Sequence, residues 1–108
     1  MGEDLTGEYR IIGYLDDLEE AMRLGNRYGF KNELIDKMKS IHGEIVDTCS
    51  LLETEEHFDK LKSHLEILLG ELKEDCLSGD EKSLSKRINQ LEEQLELLIE
   101  YLNDESAN

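Results

Sequence analysis

The chain has 108 residues with 27 acidic and 12 basic side chains, a formal charge of −15 and a sequence pI near 4.4. Phosphate backbones and anionic lipid surfaces repel a body with this much negative charge, which argues against direct binding to nucleic acid or to a membrane. The chain has no run of 18 apolar residues, and its first ten residues lack the basic and apolar regions of a signal peptide. We therefore expect one small cytoplasmic domain over 1–108.

The composition favours an all-α fold. Proline and tryptophan are absent and Val46 is the single valine, whereas leucine, glutamate and lysine are abundant. Residues that prefer strands are therefore scarce, and residues that favour helices dominate. Four segments carry apolar residues at alternating spacings of three and four, which is the repeat of a helix that buries one face. We predict four helices, at about residues 8–28, 33–52, 55–77 and 81–103, with residues 1–7 and 104–108 flexible.

The boundaries of these helices follow from turn and capping residues. Gly29 ends the first helix and Gly79 the third, because glycine tolerates the left-handed backbone of a helix C-terminus. Between the second and third helices the phase of the apolar stripe decides the boundary. One continuous helix would rotate by roughly 600° from Leu52 to Phe58 and would leave the two stripes about 120° apart, so a turn near residues 53–55 is expected. The candidate N-caps are Asn32, Thr54 and Asp80.

The four helices have nearly equal lengths and are joined by only a few residues. Short connections make consecutive helices antiparallel, so the predicted architecture is an up-down-up-down four-helix bundle. The predicted stripe of the fourth helix, which has the most regular spacing, consists of Leu84, Ile88, Leu91, Leu95, Leu98 and Leu102. The alternative is a pair of long helical hairpins that complete their core by dimerising.

The cysteines and histidines favour structural roles. Cys49 and Cys76 are about 25 Å apart in the predicted bundle, too far for a disulfide, so we expect free thiols. His57 and His64 share one face of the third helix, where we expect a pair that is either solvated or at the boundary of the core. His42 is expected to be a packed histidine with a local hydrogen bond. None of these residues has the spacing of a known metal site.

Five carboxylates on the first two predicted helices form a recognisable pattern. The pattern resembles the EExxE and ExxD motifs of the MazG-like all-α nucleoside triphosphate pyrophosphohydrolases, with aspartates in place of the first two glutamates. The resemblance covers about 32 residues and implies Mg²⁺ held against a triphosphate, since a hard cation requires clustered oxygen ligands. The apolar stripes, however, turn these side chains towards solvent. The residues that the resemblance implies as metal ligands are Asp16, Asp17, Glu20, Glu44 and Asp47.

The distribution of acidic residues suggests a binding surface. Residues 40–59 and 88–108 hold six carboxylates each, and neither segment contains lysine or arginine. In the predicted bundle these segments meet at one end, whereas Lys82, Lys86 and Arg87 lie near the other. The end of the fourth helix also carries apolar residues on more than one face, which is typical of an interface. The predicted partner-binding residues are Glu53, Glu55, Glu56, Glu92, Glu93, Glu96, Glu100, Leu97, Ile99 and Tyr101.

These features lead to one principal functional hypothesis and two alternatives. The principal hypothesis is a protein without catalytic activity, metal or cofactor that binds the basic surface of a protein partner. In its sharper form the chain mimics nucleic acid and blocks a basic groove, as small anti-defence proteins of mobile elements do. The first alternative is the Mg²⁺-dependent pyrophosphohydrolase. The second is a self-assembling structural bundle, such as a homodimer, or an adaptor or chaperone.

Overall fold

Four helices account for most of the computed structural model, which describes the backbone of residues 2–107 and the side chains of residues 10–104. No strand occurs within residues 2–107, so the all-α prediction is confirmed. None of the helices described is both long and apolar enough to cross a membrane. The helices are α1 (Gly2–Tyr28), α2 (Asn32–Thr48), α3 (Glu55–Ser78) and α4 (Glu81–Ala107).

The helix bounds differ from the predicted ones at three places. The helix α1 begins at Gly2 instead of near residue 8, and α4 continues to Ala107 instead of ending near residue 103. The segment predicted as the last turn of α2 is a separate 3-10 turn, Cys49–Leu51, followed by extended backbone. The predicted flexibility of residues 1–7 and 104–108 falls largely on side chains outside the described residues, and it stays a prediction.

Two of the three predicted N-caps are confirmed. The backbone N–H of His57 donates to Thr54 Oγ1 over 3.2 Å, and the N–H of Ser83 donates to Asp80 Oδ1 over 3.2 Å. The hydrogen bonds that Ser83 donates from its backbone N–H and its hydroxyl also lower the pKa of the Asp80 carboxyl below its ordinary value. Both caps satisfy donors that a helix N-terminus leaves without an intrahelical acceptor, so they fix where α3 and α4 begin.

The predicted cap at Asn32 is wrong. Asn32 is already the first residue of α2, and Lys31 precedes it without a capping side chain. The backbone N–H of Lys31 instead donates to Glu81 Oε1 over 3.1 Å, so α4 supplies a carboxylate to the start of α2. A negative group there also suits the positive end of the helix dipole.

Two tight turns build the helices into two antiparallel hairpins, α1–α2 and α3–α4. Gly29 has φ of 73° and Gly79 has φ of 72°, the left-handed region that favours glycine. The helix directions confirm the up-down-up-down architecture. The hairpins pack with α1 beside α3 and α2 beside α4, so the segment that joins α2 to α3 crosses the end of the bundle.

The contacts between the two hairpins show that α1 runs parallel to α3 and that α2 runs parallel to α4. Tyr14 OH donates to Glu66 over 3.0 Å, and further along both helices Lys73 Nζ donates to Asp17 over 3.2 Å. Residue numbers therefore rise in the same direction along α1 and α3. The same holds for α2 and α4, where Lys31 meets Glu81 at the two helix starts.

One continuous apolar core runs through the bundle, and it confirms the predicted stripe of α4 in full. The apolar spacing of the first helix predicts a buried face of Ile11, Leu15, Leu18, Met22 and Gly25. In the structure this face is rotated, so Tyr14 and Ala21 are buried while Leu15 and Met22 lie at its edge. The rotation follows from the position of α1, which packs against both α2 and α3. The largest fully buried side chains are Leu18, Met38, Ile41, Ile45, Leu61, Leu65, Leu69, Leu72, Leu84, Ile88, Leu91 and Leu95.

Candidate docking surface on α4

The charge of the protein is concentrated in one half of the bundle. We define the turn half as residues 20–40 and 70–89, and the acidic half as residues 10–19, 41–69 and 90–104. The turn half carries nine basic and eight acidic side chains, whereas the acidic half carries three basic and fifteen acidic ones. The turn half therefore has a net charge of +1 and the acidic half of −12, so the negative field is strongest at the acidic half.

The start of α3 and the end of α4 meet in the acidic half, as the sequence predicts. Tyr101 OH donates to Glu56 Oε1 over 3.0 Å, and Lys60 Nζ lies 5.2 Å from the centre of the Tyr101 ring. Glu53 and Glu55 are exposed beside this contact. The two acidic segments that are separate in the sequence therefore share one end of the bundle.

The contact between α2 and α4 places carboxylates opposite one another. Glu44 on α2 interacts electrostatically with Glu92 and Glu96 on α4, and with its own neighbour Asp47. Partial burial, followed by the repulsion from these carboxylates, raises the pKa of Glu44. Neither facing segment contains lysine or arginine, since residues 40–59 and 88–108 lack both. This seam therefore holds like charges together.

The outward side of α4 continues this negative surface. Glu93, Glu96 and Glu100 are exposed, and Glu92 is half-buried. Each of these four carboxylates lies within about one helical turn of the next, so their side chains form a row along the helix. We call the following set the acidic face: Glu44, Glu92, Glu93, Glu96 and Glu100.

Of the three apolar residues predicted in the surface, one is exposed and two are partly buried. Leu97 is 51% exposed and lies on the outward side of α4. Ile99 and Tyr101 are partly buried and pack against the core. The apolar excess of α4 therefore contributes mainly to the bundle interior, and Leu97 borders the acidic face.

The seam between α3 and α4 contrasts with the acidic face, because its charges are paired. Arg87 Nε lies 3.2 Å from Asp75 Oδ2, and Arg87 Nη1 lies 3.4 Å from Glu71 Oε1. The Arg87 guanidinium and the Asp75 carboxylate are both largely shielded from solvent. A shielded, charge-assisted contact of this kind stabilises the packing of two helices more than an exposed pair does.

The carboxylates of the MazG-like pattern lie in two separate seams. Asp17 and Glu20 of α1 contact Lys73 of α3, at 3.2 and 3.4 Å, and Asp16 is exposed. Glu44 lies in the seam with α4 instead. Within residues 10–104, no three His, Cys, Asp or Glu side chains are arranged to hold a metal ion. The structure thus brings each part of the pattern to a different neighbour.

The two cysteines are free, as predicted. Cys76 is buried, and burial together with the nearby Asp75 carboxylate raises the pKa of its thiol to about 11. Burial likewise raises the pKa of Cys49, whose Sγ donates to the carbonyl of Ile45. Both side chains are therefore protonated thiols at neutral pH, and they act as small packing groups.

The histidines depart from the predictions in two ways. His57 is only 8% exposed, and its Nδ1 accepts the backbone N–H of Glu53 over 3.0 Å, so its predicted place in a solvated pair is wrong. His64, its predicted companion, is half-buried. His42 Nε2 is buried, lies 3.7 Å from Glu19 Oε2 and makes no hydrogen bond within the described residues. The predicted local hydrogen bond of His42 is therefore absent at that nitrogen.

Sequence reasoning missed the place of Glu44 in the acidic face. Its membership depends on α2 packing beside α4, and the stripe of a single helix does not reveal which neighbour covers its flank. It also missed Ile67, which is 74% exposed on α3. The spacing could have identified Ile67, because it lies two residues after Leu65 and five before Leu72, whereas residues of one buried face recur at intervals of three and four.

Comparison with known proteins gives no family for this chain. No protein-family profile, curated protein sequence or solved structure matches it significantly. Its function is therefore argued from the site itself.

Proposed function

We propose that this chain is a small cytoplasmic protein without catalytic activity, which binds a basic surface of another protein through its acidic face. In the sharper form of the proposal, that surface is a groove that normally holds nucleic acid. Occupation of the groove by the acidic face would then inhibit the partner, as expected of a nucleic-acid mimic. Neither a metal nor a cofactor is part of this proposal.

The observation that carries the proposal is the excess of carboxylates in the acidic half, fifteen against three basic side chains, where Glu44 interacts electrostatically with Glu92 and Glu96 on the neighbouring helix. Like charges that face each other across a helix seam lower the free energy of unfolding, and no lysine or arginine lies in either segment to offset them. A basic partner would neutralise these carboxylates, so their mutual repulsion would become part of the driving force for binding. Binding would be fast and sensitive to salt for the same reason.

The spacing of the acidic face supports the sharper form. Four of its carboxylates lie between Glu92 and Glu100, a stretch of about 12 Å at a rise of 1.5 Å per residue. This places one charge every 4 Å or so along the axis of α4, similar to the rise of about 3.4 Å per phosphate that one DNA strand has along the duplex axis. The density of negative charge along α4 is therefore comparable to that of one nucleic-acid strand.

The proposal is tested by capture from the native host lysate with three tagged proteins. These are the wild type, a face variant with Glu92→Lys, Glu93→Lys and Glu96→Lys, and a control variant with Glu33→Lys, Asp36→Lys and Glu74→Lys. The control residues are exposed in the turn half, and both variants change the net charge equally. Circular dichroism establishes that each variant is folded, and mass spectrometry identifies the retained proteins.

The expected result is a basic, nucleic-acid-handling protein that the wild type and the control variant retain at about 0.05 M NaCl and the face variant does not. Raising the salt to about 0.5 M releases it, because screening weakens interactions between exposed charges. The proposal is contradicted if all three proteins retain the same partners, or if retention is unchanged at the higher salt.

A further inference from the structure

A groove of about 430 Å³ runs along the outside of the seam between α3 and α4. On α3 it extends from Ser63 to Glu71, a length of about 12 Å or two helical turns. Its lining combines the apolar side chains of Ile67 and Leu68 with polar side chains of α4. Leu68 is half-buried and packs on the core, so it gives the groove an apolar spot within a largely polar lining.

Ile67 stands at the edge of this groove and is the most exposed large apolar side chain of the described residues, at 74%. Its removal from water on binding would be favourable in proportion to the apolar area covered. Single exposed apolar residues are common on protein surfaces. Ile67 differs because it lines a concave site that also offers hydrogen-bonding groups.

The walls of the groove are held in place by contacts between α3 and α4. The ring Nδ1 of His64 lies 2.7 Å from Gln94 Oε1, which links the two helices across the seam. At the other end Arg87 binds Asp75, and its Nη1 donates to Gln90 Oε1 over 3.1 Å. Because His64, Gln94 and Arg87 already make these contacts, a ligand would have fewer side chains to order.

The charge around the groove selects its occupant. Arg87 is offset by Asp75 and Glu71, and Glu93 adds a carboxylate that also belongs to the acidic face. The groove is therefore net negative and continuous with that face. A second copy of this chain would bring a body of charge −15 to the same carboxylates, so repulsion disfavours self-association there. A cationic occupant is favoured instead.

We propose that this groove receives an amphipathic helix of the partner, which packs an apolar side chain on Ile67 and directs lysine or arginine towards Glu71 and Glu93. A helix fits between two antiparallel helices by placing its apolar face in their groove. This inference rests on the proposed function, because it assumes a basic partner, and it names the element of the partner that docks. The acidic face would contribute charge, and the groove would contribute the apolar contact.

The test is an NMR titration of the ¹⁵N-labelled full chain with two synthetic peptides of about 15 residues, long enough to form a helix on binding. One peptide carries lysines and a leucine stripe at helical spacing. The other has the same charge with alanine in place of leucine. We expect the leucine peptide to bind more tightly and to shift the amide signals of His64, Ile67, Gln90 and Gln94.

Two variants of α3 make the test specific. Ile67→Ser should weaken binding of the leucine peptide by about tenfold or more, because the apolar contact is lost. Leu77 is 60% exposed on the same helix but lies outside the groove, so Leu77→Ser should change the affinity by less than about twofold. Circular dichroism establishes that both variants are folded.

The outcomes separate this inference from the proposed function. The inference is overturned if the two variants have equal effects, or if the shifted signals cluster away from the groove. It is also overturned if both peptides bind with equal affinity, and that outcome leaves the proposed function in place. Binding of the leucine peptide alone, unaffected by salt, supports the groove and contradicts the acidic face. Self-association of the free protein that Ile67→Ser abolishes, measured by sedimentation, identifies a second copy as the occupant and overturns the inference.

Discussion

The two seams that flank α4 differ in how they arrange charge. In the seam with α3, the guanidinium of Arg87 lies between Asp75 and Glu71, at 3.2 and 3.4 Å. In the seam with α2, Glu44 faces Glu92 and Glu96 instead. Both seams bury the same kind of apolar stripe, since α4 contributes fully buried leucines and isoleucine to one common core. The difference lies entirely in the polar flanks.

This difference separates what stabilises the bundle from what a partner could use. Paired charges on the α3 side add to stability, and the repulsion of Glu44 by Glu92 and Glu96 on the α2 side subtracts from it. The fold tolerates this loss of stability because the burial of apolar surface is the largest favourable contribution to folding. Stability alone gives no reason for these carboxylates, and the proposed binding to a basic surface would supply one.

The ion pairs in the seam between α3 and α4 can be removed by replacing Arg87. The variant Arg87→Met keeps much of the apolar stem but removes the guanidinium, which leaves the shielded Asp75 carboxylate without its counter-charge. We expect the free energy of unfolding to fall by about 1–3 kcal/mol, measured by urea denaturation. Lys86→Met is the matched control, since Lys86 is the exposed neighbour and its loss should cost less than about 0.5 kcal/mol. Equal losses in the two variants would show that Arg87 does not stabilise the seam.

The unpaired seam can be converted into a paired one. In the variant Glu96→Lys a cation would face Glu44 and lie one turn from Glu92 and Glu100 along α4. We expect a gain of roughly 0.5 kcal/mol in the free energy of unfolding at low salt. The control Glu74→Lys makes the same change in net charge on the exposed side of α3. A gain that is no larger than that of the control would mean that the general charge of the protein, and not the seam, sets the effect.

The smallest expected effect is the removal of one charge without the addition of another. The raised pKa of Glu44 means that the fold prefers its protonated carboxyl, so ionised Glu44 lowers stability at pH 7. We expect Glu44→Gln to raise the free energy of unfolding by a few tenths of a kcal/mol at pH 7. The gain should disappear as the pH falls through the raised pKa to below about 4, where the carboxyl is protonated in both folded and unfolded states.

The control for this pH dependence is Glu74→Gln, which removes an exposed carboxylate from the turn half. Its effect at pH 7 should be smaller than that of Glu44→Gln. A gain from Glu44→Gln that persists unchanged at low pH would contradict repulsion as its cause.

The local features of the fold were predictable because each depends on a short stretch of sequence. The stripe of α4, the glycine turns at Gly29 and Gly79, and the caps at Thr54 and Asp80 all follow from local geometry. The order of the helices around the core was not predictable in this way. A stripe shows which face of a helix is buried, and it does not show which helix covers each flank.

The candidate site could likewise be predicted only where it depends on a single segment. The carboxylates of α4 were found from the sequence because they lie in one segment without lysine or arginine. Glu44 lies near them only because α2 packs beside α4. Asp17 and Glu20 are separated from Glu44 because α1 packs beside α3, where both contact Lys73. The placement of every charged flank thus followed from the packing of the two hairpins.

The most direct test of the account is a competition between this protein and nucleic acid for the captured partner. The partner is first saturated with a fluorescent DNA duplex, and the wild type, the face variant and the control variant are then titrated in while anisotropy is recorded. We predict that the wild type and the control variant release the duplex, and that the face variant needs at least about tenfold more protein to do so. A stable complex that contains the partner, the duplex and this protein together would contradict the account.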